Sequence, residues 1–296
     1  MLKMNEIDLS GKRVLIRVDL NVPMSNGIIE NDSRIKATIP TIKLALQSNC
    51  SIILMSHMGR PREGIFEEDF SLNLVAENLS SALRREVRFI SNWDNNFDIN
   101  NGDIVLMENV RFLKGEKNND PDLSKKMGEL CDIFVMDAFA SAHRSHASTC
   151  GVIEFAKIAC IGPLFSYELE SLQRIFSNPK RPLLAIVGGS KISTKLEVIT
   201  SLAKSVDYLI LGGGIANTVL KAMGYEIGSS LYEESMLETA KLLSEDTANN
   251  CVIPEILDVL VARKFSFESK AILKNIEDVS KDDLILDIGP KTVKKY

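Results

Sequence analysis

Short apolar runs alternate along this chain with stretches whose apolar residues recur at helical spacing. The runs Val14–Val18, Ser51–Met55, Val87–Ile90, Ile104–Met107, Ile133–Met136, Leu183–Val187, Tyr208–Leu211, Val259–Ala262 and Leu284–Ile288 have the length and composition of buried strands. Between the first two, Arg34–Gln47 places Ile35, Ile39, Ile42 and Leu46 on one helical face, with Ser33 as its N-cap. A second helix is predicted over Leu72–Arg84, capped by Ser71, and Asp120-Pro121 supplies a cap and a first-turn proline for a third. Strands that alternate with helices predict an α/β protein of doubly wound parallel sheets, Rossmann-like in architecture. One helical pattern stands apart: it starts at Gly162-Pro163 and runs to about Phe176, with Phe165, Leu169, Leu172 and Phe176 on one stripe. Asn178-Pro179 ends it and the alternation begins afresh at Leu183. This predicts an N-terminal domain over 1–161, a connecting helix over 162–177 and a C-terminal domain over 178–296; the alternative is an ordinary helix inside one large domain.

Composition narrows the function. The 296 residues are 45% hydrophobic and 25% charged, with a net charge of -5. That suffices for a sizeable core and argues against a general nucleic-acid or membrane binder. A bound anion would have to be held by a local basic cluster. No apolar run reaches the roughly 20 residues of a membrane span, and the N-terminal residues lack a signal-peptide core. The five cysteines are scattered with no Cys-x-x-Cys pair, which suits a reducing cytosol.

The candidate chemistry of the first half clusters at predicted strand ends. The run Val14-Leu15-Ile16 leads into Arg17-Val18-Asp19-Leu20-Asn21-Val22-Pro23, where strand alternation would put Arg17, Asp19 and Asn21 on one face. Pro23 then stops the ladder. Arg34 lies in the first turn of its helix. The loops Ser56–Pro61, Glu108–Phe112 and Asp137–His146 each follow a predicted strand and carry His57 and Arg60, Arg111, and His143, Arg144 and His146. In a parallel sheet such ends converge on one cleft. The cleft would suit a small anion with phosphate and carboxylate groups, held by guanidinium forks. Each loop alone reads equally as ordinary surface, and a metal at His143-x-x-His146 finds no third ligand beyond Cys150.

In the second half, Leu183–Val187 runs into Gly188-Gly189-Ser190-Lys191-Ile192-Ser193-Thr194-Lys195, and Tyr208–Leu211 into Gly212-Gly213-Gly214-Ile215-Ala216-Asn217. Glycines let a backbone approach a ligand closely, and a following helix offers free N–H groups. Lys191 and Lys195 would share a helix face if the helix starts there. The Walker A spacing is absent, and Asn217 stands where a dinucleotide fingerprint wants glycine. Two tight βα turns with surface lysines are the plainer alternative.

Arg17–Pro23, Ser56–Pro61, Glu108–Phe112 and His143–Ser148 resemble the phosphoglycerate kinase family, in its order and with similar spacing. Gly188–Lys195 and Gly212–Asn217 resemble it too, so the likeness runs the length of the chain. It implies a cytoplasmic enzyme of glycolysis, a monomer acting on small molecules and on neither nucleic acid nor membrane. The implied reaction is reversible phosphoryl transfer between ATP and 3-phosphoglycerate, giving ADP and 1,3-bisphosphoglycerate, with Mg2+. Implied substrate contacts are Asp19, Asn21, Arg34, His57, Met58, Gly59, Arg60, Arg111 and Arg144. Asp19 would meet the substrate hydroxyl. Gly189, Lys191, Lys195, Gly213 and Gly214 would hold the nucleotide. Arg34 and Lys191 would neutralise the transferred group, since phosphoryl transfer depends on alignment and charge. Closure about the connecting helix would bring the ligands together. Complete family members run roughly a hundred residues further, and that part carries an acidic magnesium ligand, a ribose-binding glutamate and later strands of the second sheet. The chain is therefore expected to be C-terminally truncated, with no metal ligand of its own and a first strand of the second sheet left as an apolar edge. Two other readings stand beside the kinase: a catalytically impaired remnant that still binds 3-phosphoglycerate, and a Rossmann-type dehydrogenase, which Asn217 opposes.

Overall fold

The computed structural model describes residues 1–25, 27–92, 97–245, 251–266 and 268–296. The chain forms two compact units, Met1–Gln173 and Arg174–Tyr296.

The first unit is built on a six-stranded parallel sheet. In chain order it contains β1 (Arg13–Arg17), a short hairpin of β2 (Met24–Ser25) and β3 (Ile28–Ile29), α1 (Ser33–Gln47), β4 (Ser51–Met55), α2 (Asn73–Leu83), β5 (Arg88–Ile90), β6 (Ile104–Met107), α3 (Pro121–Glu129), β7 (Ile133–Met136), α4 (Val152–Phe155), β8 (Ile158–Ile161) and α5 (Pro163–Ser177). The sheet order is β5-β6-β4-β1-β7-β8, all parallel. Its central strands are apolar through their middles because helices cover both faces. Val14, Ile16, Ile52, Leu54, Leu106 and Val135 face one core with residues of α1 and α2. Leu15, Ile53, Met55, Val105, Met107 and Phe134 face the other, with Leu123 and Met127 of α3 and Phe165 of α5. Each such side chain contributes roughly 1.5–3 kcal/mol on burial.

Several local expectations change. β1 ends at Arg17, so alternation does not govern residues 18–22; Arg17 is itself buried among the cores rather than turned into the cleft. At the start of α1 the cap position is Asp32, and Ser33 donates its N–H to Asn31 Oδ1 at 2.9 Å. At α2 the cap position is Leu72, whose N–H goes to the Glu108 carboxylate at 2.9 Å. Asp120 does cap α3, accepting from the Leu123 N–H at 2.9 Å. Along α5 only the first half of the apolar stripe packs: Phe165 is buried, but Leu172 and Phe176 are 41% and 62% exposed. β8 carried no anticipated signal; it is a short edge strand whose first residue, Ile158, is exposed.

The second unit opens with β9 (Leu184–Gly188), α6 (Leu196–Ala203), β10 (Tyr208–Gly212), α7 (Gly213–Ala222) and α8 (Leu237–Glu245). β9 and β10 run parallel, in register Leu184↔Tyr208 to Gly188↔Gly212. Ile199, Ala203, Leu209, Leu211, Ile215 and Val219 form their core. Among the described strands β9 pairs only with β10, and Leu184 and Ile186 are 42% and 69% exposed, the anticipated apolar edge. β11 (Asp258–Ala262), β12 (Ile272–Asn275) and β13 (Leu284–Ile288) follow, then α9 (Pro290–Lys295). These three strands form an antiparallel sheet, order β12-β11-β13. β12 and β13 both run antiparallel to the central β11 and so parallel to each other; a 3-10 turn, Ile276–Asp278, lies on the connection between them. No helix among the described residues is long and apolar enough to cross a membrane.

Candidate active site

The C-terminal ends of β1, β4, β6 and β7 are neighbours in the first sheet, and the basic loops leave from them. Two polar residues lock these loops together. Asn109, just after β6, donates from Nδ2 to the carbonyls of Met58 and Phe70 at 2.8 and 2.9 Å and accepts the Arg111 N–H at 3.0 Å. The buried Glu108 carboxylate takes the Leu72 N–H and the Ser71 hydroxyl at 2.9 and 2.8 Å. The loop after β4 is thereby pinned beside Arg111.

Asn21 Oδ1 accepts the Gly59 N–H at 2.8 Å, tying the segment after β1 to the same loop. Gly59 has φ +57, and a Cβ there would lie 2.3 Å from the Phe70 ring, so the turn needs glycine. Asp19 accepts the Asn21 N–H at 3.1 Å. Its two oxygens also meet Arg34 Nη1 at 3.0 and 2.9 Å. Arg34 sits in the first turn of α1, so that helix start brings a cation to the strand end. Asp19 thus already has a cationic partner in Arg34.

The basic groups converge. Arg111 is 7% exposed, and its Nε is buried without a hydrogen-bond partner among the described residues. An unpartnered buried guanidinium nitrogen asks for an acceptor. Burial lowers the Arg111 pKa, and Arg144 and Arg60 add to the effect while Glu116 opposes it. His57 is buried, and burial together with Arg17, Arg111, Arg144 and Arg34 pushes its pKa down to about 2. Burial, then Arg111, Arg144, Arg17 and Lys117, hold His146 down at about 4. Arg144 is half-buried with Nη1 3.5 Å from His57 Nε2, while Arg60 is exposed on the rim and Met58 is buried beneath. Asp19, Asn21, Arg34, His57, Met58, Gly59, Arg60, Arg111 and Arg144 are therefore all on one end of one sheet. His143 is exposed.

Three residues that sequence reasoning did not assign belong to this end. Arg17, Glu116 and Ser148 are buried polar groups linked behind the cleft, and Ser148 lies 131 positions from Arg17. Arg17 and Ser148 stood in stretches that the sequence reading singled out, but nothing there pointed to their link through the buried Glu116.

In the second unit Lys191 and Lys195 do not share a helix face. α6 begins only at Leu196, so both lie in the preceding loop, where Lys191 is exposed and Lys195 Nζ donates to the Gly188 carbonyl at 2.7 Å. Gly213 and Gly214 open α7 directly against this loop. A Cβ on Gly214 would lie 2.3 Å from the Ser190 carbonyl oxygen, and the Ile215 N–H donates to the Gly189 carbonyl at 3.1 Å. Gly189, Lys191, Lys195, Gly213 and Gly214 thus sit close together at the C-terminal ends of β9 and β10, beside the N–H groups of a helix start. A cavity of about 470 Å³, lined in part by Leu211, Gly213, Ala216, Leu220, Val259 and Ile288, adjoins them. No group of three His, Cys, Asp or Glu among the described residues could hold a metal ion.

Comparison with known proteins gives the chain its relatives. The family model described as phosphoglycerate kinase matches residues 4–296. Phosphoglycerate kinases of Legionella pneumophila strains Corby and Lens are 51% and 50% identical to the chain over 297 aligned residues, covering all of it and 75% of each relative. The solved phosphoglycerate kinase of Coxiella burnetii superposes with a TM-score of 0.85 at 50% identity, over the whole chain and 76% of that structure. The Pyrococcus horikoshii OT3 phosphoglycerate kinase gives 0.82 at 26% identity, over the whole chain and 77% of that structure.

Proposed function

The chain belongs to the phosphoglycerate kinase family, and on that premise we propose how its two sites divide the work of reversible phosphoryl transfer between ATP and 3-phosphoglycerate. The first unit takes 3-phosphoglycerate. His57, Arg60, Arg111 and Arg144 hold its anionic groups, and Asp19 accepts a hydrogen bond from its hydroxyl as Arg34 turns toward the transferred group. Asn21, Met58 and Gly59 shape the floor. The observation that carries this reading is the buried Arg111 Nε without a partner, at the point where four strand ends converge.

The second unit takes the nucleotide. The backbone around Gly189, Gly213 and Gly214 admits the phosphates against the start of α7, Lys195 holds them, and exposed Lys191 supplies charge to the moving phosphoryl. No nucleophilic side chain is required, because the acceptor is the substrate's own carboxylate and the barrier is one of alignment and charge. Magnesium would enter on the nucleotide phosphates; the described residues do not fit a protein-held ion. The free cysteines agree with a cytoplasmic setting, and we expect a monomer.

Backbone amide shifts recorded while 3-phosphoglycerate and ADP are titrated separately test the division. 3-Phosphoglycerate should move residues 19–21, 57–60, 111 and 144, and ADP residues 188–195 and 212–215. A triose response centred on the second unit contradicts the reading.

A further inference from the structure

Arg17 is nearly inaccessible, at 1% exposure, and all three of its nitrogens are engaged. Nη1 donates to the Val18 carbonyl at 2.6 Å, Nε to Ser148 Oγ at 3.2 Å, and Nη2 lies 3.1 Å from His57 Nδ1. A guanidinium has no acceptor, so His57 Nδ1 must accept and carry no proton. On a neutral ring the proton is then on Nε2. The same logic runs the other way along the chain of bonds. Ser148 Oγ accepts from Arg17, so its own proton goes to Glu116 Oε1 at 2.6 Å, and the Ser148 N–H goes to Glu116 Oε2 at 3.0 Å. Every donor and acceptor from Glu116 to His57 therefore has one consistent direction.

Past the ring, His57 Nε2 faces Arg144 Nη1 at 3.5 Å. Both are donors and cannot satisfy one another; a single anionic oxygen placed between them satisfies both. We propose that Arg17 is a positioning residue: held by Ser148 and Glu116, it keeps His57 neutral with the proton on Nε2, so that the ring donates to the bound anion.

The proposal rests on the reading of this cleft as the 3-phosphoglycerate site for the identity of that anion, and on the hydrogen-bond directions alone for the state of the ring. Protonating His57 would set an Nδ1–H against an Arg17 N–H. Arg111, Arg144 and Arg34 also face the ring and oppose its charge, while the acidic groups Glu116 and Asp19 act on Arg17. Arg17 stays charged at neutral pH even though burial brings it down to about 10. The consequence is a cleft whose own charge holds steady across the physiological range, so its affinity follows only the ionisation of the ligand.

Long-range proton–nitrogen spectra of the imidazole rings test this in the full chain. There are three histidines, and His57→Gln identifies the relevant signals. The wild-type ring should show a bare Nδ1 and a protonated Nε2, unchanged from about pH 8 to about pH 5, with Nε2 moving on saturation with 3-phosphoglycerate. Arg17→Gln should raise the proton affinity of His57 at least about tenfold, while Arg17→Lys, which keeps a charged donor, should keep the ring close to wild type. A merely structural Arg17 would alter fold stability without moving the ring's proton. Should Arg17→Gln not fold, the wild-type spectrum decides: a proton on Nδ1, or a ring titrating near its ordinary 6.5, overturns the proposal. A ring in the stated form that ignores 3-phosphoglycerate overturns the substrate assignment instead and leaves Arg17's hold on His57 standing.

Discussion

At the scale of single residues the account turns on where charge is placed and what partners it finds. Arg34 is half exposed at the start of α1 and reaches Asp19, so it can exchange that carboxylate for a developing negative charge without unfolding anything. Replacing Arg34 with Ala should cost about 3–4 kcal/mol of transition-state stabilisation, or 10²–10³ in rate, with nucleotide affinity nearly unchanged. Turnover and ADP titrations read both, and a rate loss below about tenfold removes Arg34 from the chemistry. The buried histidines give a second prediction. Folding lowers the pKa of His57 from 6.5 to about 2 and that of His146 from 6.5 to about 4. Between these values the unfolded chain binds protons that the folded chain refuses. The first unit should therefore lose stability as pH falls below 6.5, by up to about 1.4 kcal/mol per pH unit for His57, with a smaller, solvent-screened share from His146. Urea unfolding followed by amide exchange across that range should show the slope, and His57→Gln should reduce it. A slope unchanged by the substitution would mean that His57 is not the buried neutral group inferred here.

At the scale of elements, one buried carboxylate organises the approach to α5. Asp137, at the end of β7, accepts the Phe165 N–H at 3.0 Å and also binds the Thr41 hydroxyl of α1. Gly162 allows the close approach, since a Cβ there would lie 2.2 Å from Asp137 Oδ1. Burial raises the pKa of Asp137 while Thr41 and the helix N–H groups oppose the rise. Asp137→Ala should leave those donors unsatisfied and destabilise the first unit by about 1–3 kcal/mol. Protection of the Phe165 amide should drop with it; unchanged protection would show that α5 is held by packing alone. Which elements were legible from sequence follows the same physics. The central strands announced themselves because both their faces are buried, which forces continuous apolar runs. β8, at an edge with Ile158 exposed, is under no such constraint. The caps of α1 and α2 were misplaced by one residue because Asn31 and Glu108, one preceding and one distant, supply the acceptors. The loop holding Lys191 and Lys195 looked helical since a four-residue spacing cannot distinguish a helix from a turn that folds back on Gly188. The arginines of the cleft were legible because they sit in loops that follow strands. The link of Arg17 and Ser148 to Glu116 was not, because only the folded sheet brings them together.

At the scale of the molecule, two compact units each present glycine or basic loops at the C-terminal ends of parallel strands. The chain carries a net charge of -5, so attraction for an anion cannot come from its overall field. It must come from the local convergence of Arg34, Arg60, Arg111 and Arg144. Charge of that kind is partly screened where it meets solvent, and the Debye length falls from about 10 Å at 0.1 M to about 3 Å at 1 M salt. Calorimetric titration of 3-phosphoglycerate at low and high ionic strength tests the central claim most directly. The account predicts measurable binding that weakens steadily as salt rises, and that is lost in Arg111→Ala at either salt. Equal affinity at both salts, or an Arg111→Ala variant that binds like the wild type, would contradict a triose site built from converging guanidinium groups.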